Sequence, residues 1–145
     1  MPNSRVLGGL QADSFTGAMY EHSPFGKVWY VDITNGSDGN SGEAPDQAYA
    51  SVSAAISAAV ATRGDTVIIA PGTYTVTAAL SPKAMMTFRA AVVNPHYPTV
   101  TLQANVASLV TLDVSGCRFI GIRFLSSGNT LENLVNISNS TSVNG

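Results

Sequence analysis

Charge is scarce in this chain of 145 residues. Asp, Glu, Lys and Arg together make up 11%, against about a quarter in an ordinary soluble domain. The shortage is not that of a disordered chain, which combines high charge with low hydrophobicity, because 45% of the residues are hydrophobic. Seven basic and nine acidic side chains leave a net charge of −2. Without a basic surplus to neutralise phosphates, the composition argues against nucleic-acid binding. Cysteine is almost absent. Cys117 stands alone, which excludes an intramolecular disulfide and a Cys-based zinc site, and its neighbours predict a buried strand residue. No apolar run approaches the roughly 18 residues of a membrane span. The segment from Met1 to Leu10 has one positive charge and no apolar stretch of signal-peptide length. These readings predict a product made in a cytoplasm, not exported by the general route and without a membrane partner.

Catalytic signatures are also missing. No phosphate-binding loop, dinucleotide fingerprint or Gly-x-Ser-x-Gly elbow occurs. His22 and His96 are isolated, and His96 lies in the rigid turn Asn94-Pro95-His96-Tyr97-Pro98. Nothing in the sequence calls for a cofactor. In place of charge the chain carries 16 Ser, 13 Thr, 10 Asn and 13 Gly. That mixture suits turns and polar strand faces better than a helical surface.

The length allows one domain with one core. Residues 1–26 have no sustained period and are broken by Gly and Pro, yet they carry Val6, Leu7, Leu10, Phe15, Met19, Tyr20 and Phe25. A solvated linker would not hold so many large apolar groups, so the segment reads as an arm that packs on its own domain or docks on another chain. Val28-Trp29-Tyr30-Val31 predicts a strand, and the Asn-, Asp-, Gly- and Ser-rich stretch Asp32 to Asp46 a loop. One helix is predicted at about 51–63, with Ser51 as N-cap, an apolar stripe including Val52, Ile56 and Val60, and Gly64 at its C-terminal end. From Thr66 onward come short β-rich runs: 66–70, 73–76, 86–89, 99–102, 109–114, 117–124 and 134–138. No amphipathic helix separates them, which leaves a sandwich or a solenoid of strands. Similar runs return about every 20 residues, near Ile68, Thr87, Val110 and Asn136, a spacing that suits the solenoid.

Tyr30-Val31-Asp32, Asn35-Gly36-Ser37-Asp38-Gly39-Asn40-Ser41-Gly42 and Tyr49 to Ile56, followed by Gly64-Asp65-Thr66-Val67-Ile68-Ile69-Ala70-Pro71-Gly72-Thr73-Tyr74, resemble the opening of pectin-lyase-like proteins. The resemblance covers about residues 28–125. It implies an all-β chain folded as a right-handed parallel β-helix, a β-solenoid over residues 27–145. The helix at 51–63 would cap the first coil with Val52, Ile56 and Val60, and residues 1–26 would form a short N-terminal arm. The scaffold hosts many activities, so the resemblance speaks to fold more than to function.

Enzymes of that group cleave acidic polysaccharides with clustered carboxylates or with an Arg or Lys base. After Asp65 only Asp113 and Glu132 are available here, not the carboxylate pair that inverting hydrolysis needs. Arg89, Arg118 and Arg123 read as solvated strand-face cations. Among the oxygen donors of the Asp32–Asp46 loop, Asp32, Asn35, Asp38 and Asn40, with Glu43 and Asp46 beyond them, form a weak Ca²⁺ candidate. The position where an EF-hand would place its bidentate carboxylate is Tyr49. No catalytic residue is assigned. The resemblance and composition together imply a structural bacteriophage virion protein. It would be a head decoration or fibre-like protein that docks on a major capsid or other virion protein through residues 1–26, assembles in the host cytoplasm and forms a homotrimer. A cell-surface polysaccharide is a further expected partner. The alternative is a tail spike or secreted polysaccharide-degrading enzyme whose catalytic part lies outside this chain.

Overall fold

A computed structural model describes residues 26–104, 108–126 and 133–137. The predicted arm and its docking residues Val6, Leu7, Leu10, Phe15, Met19, Tyr20 and Phe25 lie outside the described residues, as do His22 and Glu132.

Alternation sets the strands. In β1 (Val28–Val31), Trp29 and Val31 turn inward while Val28 and Tyr30 stay half-buried. The same two-residue period runs through β2 (Thr66–Ile69), β3 (Gly72–Val76), β4 (Thr87–Ala90) and β5 (Val100–Ala104). It places Val67, Ile69, Tyr74, Phe88, Ala90, Val100 and Leu102 in one core. The chain continues through β6 (Ser108–Leu112), β7 (Arg118–Ile120), β8 (Ile122–Ser126) and β9 (Asn133–Ile137). Every strand pair is parallel. One sheet has the order β1-β2-β4-β7, a second β3-β5-β8, and the third pairs β6 with β9. An antiparallel sandwich is thereby ruled out for the described residues.

The expected right-handed parallel β-helix is not found. The strands make separate parallel sheets of four, three and two strands, and no closed solenoid is found among the described residues. The repeat is not regular either. Thr66, Thr87 and Arg118 are register partners, so the intervals along this row are 21 and then 31 residues, not one repeat near 20. The run near Val110, expected to continue the row of Ile68 and Thr87, belongs to another sheet and pairs with Val135. The run 117–124 is not one strand either. Gly121 breaks it with φ 70°, a left-handed conformation that other residues resist. A Cβ there would also lie 3.2 Å from the Ala90 side chain. The chain uses this corner to pass from the first sheet to the second.

The predicted helix exists but is shorter. Helix α1 spans Val52–Ala58, and Ser51 caps it by accepting a hydrogen bond from the Ala54 amide. It stops before Gly64 because the Val60 N–H is drawn to the Asp65 carboxylate, at 2.9 Å. Ala59 is already extended, with φ −65° and ψ 156°. Lys83 closes the far end, its Nζ donating to the carbonyls of Ser57 at 2.9 Å and Ala59 at 2.5 Å, as a cation does at a helix C-terminus. The helix packs on β1 and β2, with Val52, Ala55 and Ile56 buried. Val60 is not part of that face; it is 48% exposed.

The outer edge of β1 is covered by the loop that follows it. Tyr30 donates to Gly42, Asp32 to Tyr49 and Tyr49 back to Tyr30, at 2.8 to 2.9 Å. An edge strand left bare would invite pairing with another chain. Inside, Phe88 stacks on Phe119 with ring centroids 4.9 Å apart, and Phe119 meets Phe124 edge-on at 5.4 Å. Such pairs add about 0.5–1.5 kcal/mol beyond area burial. Cys117, expected inside a strand, sits one residue before β7, half-buried. Its thiol donates to the Lys83 carbonyl at 3.3 Å, and burial pushes its pKa up.

Ile56→Asp is expected to destabilise the chain by several kcal/mol, because it buries an unpaired charge. Val60→Asp should change stability by no more than about 0.5 kcal/mol, as an exposed surface substitution does. Urea denaturation of the two variants checks the assignment of the helix face.

Candidate functional site

Two polar constellations stand out among the described residues. The first surrounds Asp65, whose side chain is fully buried. A carboxylate cannot stay ionised in such a place without several donors. Asp65 has five. The Lys27 amide gives a bond of 2.9 Å and Trp29 Nε1 one of 3.0 Å. The Val60 amide adds another at 2.9 Å. The Arg63 guanidinium binds both carboxylate oxygens, at 2.6 Å through Nε and 2.5 Å through Nη2. Burial by itself would raise the Asp65 pKa, but the Arg63, Trp29, Val60 and Lys27 bonds outweigh it and hold the carboxyl well below the usual range. The Arg63 pKa rises in return, through its bond to Asp65. This is a structural knot. Its donors already occupy both oxygens, which leaves no proton to move and no face for a substrate.

The second constellation lines a cleft of about 330 Å³ between the start of α1 and the segment from β3 to Leu80. Its polar wall is Asp38, Ser51, Ser53, Thr75 and Thr77, and its floor includes Val52, Val76 and Leu80. Asp38 Oδ1 accepts from the Ala50 and Ser51 amides at 2.9 and 2.8 Å, and Oδ2 from the Ser51 hydroxyl at 2.7 Å. Ser51 Oγ in turn accepts from the Ala54 amide at 3.2 Å. Ser53 Oγ lies 3.1 Å from it and acts as donor, because the single Ser51 proton goes to Asp38. Ser51 is therefore a helix cap held by a carboxylate. It is not paired with a base in the manner of an activated nucleophile. Tyr74 closes the cleft from below. Its hydroxyl donates to the Ala70 carbonyl at 2.9 Å and accepts from the Ile33 amide at 3.3 Å. Its pKa is pushed up by burial. The cleft offers hydroxyl and carboxylate hydrogen-bond partners over an aliphatic floor.

The structure does not gather the Ca²⁺ candidates into one ligand set. Asp32 shapes its own turn, accepting from the amides of Thr34 and Asn35 at 2.8 and 3.2 Å and from Asn35 Nδ2 at 3.0 Å. The Asn35 side-chain bond leads the effects that lower the Asp32 pKa. Asn40 Nδ2 donates to the Ala48 carbonyl at 2.9 Å, and Asp38 serves Ala50 and Ser51 as above. Among the described residues no group of three or more His, Cys, Asp or Glu side chains stands close enough to hold a metal ion. Glu43 pairs with Lys27 at 2.5 Å, and its pKa is lowered by that bond. Arg89, Arg118 and Arg123 are exposed on outer strand faces, and Asp113 is exposed in the turn after β6. His96 is exposed, with its amide bonded to Asn94 Oδ1 at 2.9 Å. Of the aromatics a sugar could stack on, Phe88 and Tyr74 are buried and Tyr97 is 62% exposed. No helix among the described residues is long and apolar enough to cross a membrane.

Reading the sequence did not single out Asp65 or Arg63 for a role. One signal was present. An Asp directly before a strand with an apolar Val-Ile-Ile run, with Arg two residues ahead, marks a carboxylate about to be buried beside its own counter-ion. Comparison with family models, curated proteins and solved structures finds no match.

Asp65→Asn is expected to destabilise the fold at neutral pH, because a neutral amide puts an NH2 group among the donors that Asp65 accepts from in a fully buried place and removes the charge partner of Arg63. The folded-state pKa of Asp65 is depressed, so its stabilisation is complete above the unfolded value near 3.8. It is lost as the pH falls below that value toward the folded pKa. Wild-type stability should therefore drop on acidification below about pH 4, and the Asn variant should show a flatter profile. Guanidinium denaturation across the acid range measures both.

Proposed function

We propose that this chain is a structural component of a bacteriophage particle, a head decoration or fibre-like protein. In this reading residues 1–26 attach it to a capsid or other virion protein, and the rest is a rigid body exposed to solvent. The observation that carries the non-catalytic part is what the polar side chains do. Asp65, Asp32, Asp38, Ser51 and Tyr74, the groups a catalyst would draw on, each hold backbone or a neighbouring side chain in place. Composition supports the particle part, being low in charge and rich in Ser, Thr, Asn and Gly. The apolar residues scattered through 1–26 suit attachment to another protein surface. The same reading includes a homotrimer, a closed assembly of identical chains.

Removing residues 1–26 should leave the far-UV circular dichroism and melting of the body intact while abolishing co-sedimentation with phage particles. A truncated chain that still co-sediments would exclude attachment through the arm. Light scattering of the full chain should give close to three times 15.0 kDa.

A further inference from the structure

The two sheets are not closed equally at their first strands. The loop after β1 bonds to the outer edge of that strand. Strand β3 begins the second sheet, with β5 on one side and no strand on the other among the described residues. Gly72 donates to the Thr99 carbonyl. The bonds of a parallel ladder are evenly spaced, so Gly72, Tyr74 and Val76 turn their main-chain groups toward β5. Thr75 turns its N–H and C=O the other way. Neither group is hydrogen-bonded, nor is the Thr75 hydroxyl. A bare strand edge of this kind invites pairing.

Beside Thr75 lies the cleft of about 330 Å³, and every residue that lines it falls between Ile33 and Leu80. Ser51 and Ser53 stand on its other wall. The floor residues Val52, Val76 and Leu80 are at most 8% exposed. Asp38 carries the single ionised side chain of the lining. Its carboxylate has about four lone-pair sites, and the Ala50 amide, the Ser51 amide and the Ser51 hydroxyl take three. One acceptor site is left for a cation.

We propose that this cleft docks an extended peptide segment of a partner protein as an added strand on the edge of β3. Such a segment carries the amide and carbonyl that Thr75 lacks, at strand spacing. Its side chains alternate between two faces, so an apolar one can rest on the floor while a neighbouring Lys or Arg reaches Asp38. Main-chain bonds supply the pairing, and the floor and Asp38 supply the preference for an apolar residue next to a basic one. This docking is separate from attachment through residues 1–26 and from self-association, and it stands or falls without them.

The probe is the peptide acetyl-Val-Lys-Val-Thr-Val-amide, added to the full chain at low ionic strength. Calorimetry should show binding, and NMR should show the Thr75 amide exchanging at least about tenfold more slowly in its presence, as a newly bonded amide does. Thr75→Pro removes the unused N–H and is acceptable on an edge strand. It should leave the melting temperature within a few degrees of wild type and weaken peptide binding at least about tenfold. The fully N-methylated peptide should lose the same bonds against the unaltered protein, which covers the case of a Thr75→Pro chain that melts early. Replacing the peptide Lys by Glu should weaken binding by a similar factor, and the difference should shrink in high salt. A wild-type chain that does not bind the peptide, or whose Thr75 amide exchanges at an unchanged rate, overturns the proposal. A folded Thr75→Pro chain that binds like wild type also overturns it. A Glu peptide that binds as well as the Lys peptide overturns the role of Asp38. Self-association that Thr75→Pro abolishes would give the edge to a second copy and overturn the peptide assignment.

Discussion

One buried carboxylate ties the first strand, the helix exit and the second strand together. Asp65 has no contact with solvent and five donors, from Lys27, Trp29, Val60 and twice from Arg63. The donors come from three pieces of local structure: the start of β1, the exit of α1 and the turn before β2. Lys27 and Trp29 set where β1 begins beside β2. Val60 marks where the chain leaves α1. Arg63 brings the charge that makes burial tolerable, because an ionised group in the interior needs both a counter-ion and filled lone pairs. The rest of the architecture follows from this junction. β1 aligns with β2 in parallel register, and each later strand of the first sheet aligns on the one before it.

The cleft at the start of α1 obeys the same economy of polar groups. Asp38, Ser51 and Ser53 form a chain of hydrogen bonds that ends on a helix amide. A carboxylate next to a serine suggests catalysis when the two are seen only as residue types. Here the serine proton points to the carboxylate and the serine oxygen accepts from Ala54, so both residues define where the helix starts. The loop carboxylate Asp32 does equivalent work one turn earlier. Polar side chains are few in charge but heavily used for shape.

Much of the local structure was legible. Short runs rich in β-branched and aromatic residues, bounded by Gly, Pro, Asn and Ser, located nearly every strand to within a residue or two, and β1 at its observed limits. Ser51 was readable as the N-cap, since a serine before an Ala-rich apolar stripe has few other uses. The helix end was not readable, because the group that stops it, Asp65, is five residues downstream of Val60 and acts through space. Nor was the break at Gly121, where a continuous β-rich run concealed a corner that depends on a left-handed φ. Of the candidate site residues, Asp32, Asn35, Asp38 and Asn40 were visible as oxygen donors, but their partners were not. Whether donors converge on an ion or on nearby amides is decided by backbone direction, which composition does not report.

The resemblance to pectin-lyase-like proteins carried the reading one step too far. It joined parallel strands, which are present, to a closed solenoid, which is not found. What the sequence determined by itself is local: where the β-rich runs lie, where turns must fall, where the helix starts, and that Val52 and Ile56 share its apolar face. The tertiary structure alone decided which strands became neighbours, that intervals of 21 and 31 residues could serve the same sheet, and that Asp65 and not the helix glycine sets the end of α1. The reason is common to all three. Pairing register and burial depend on groups far apart in the chain meeting at hydrogen-bond distance, and only the folded backbone supplies that distance.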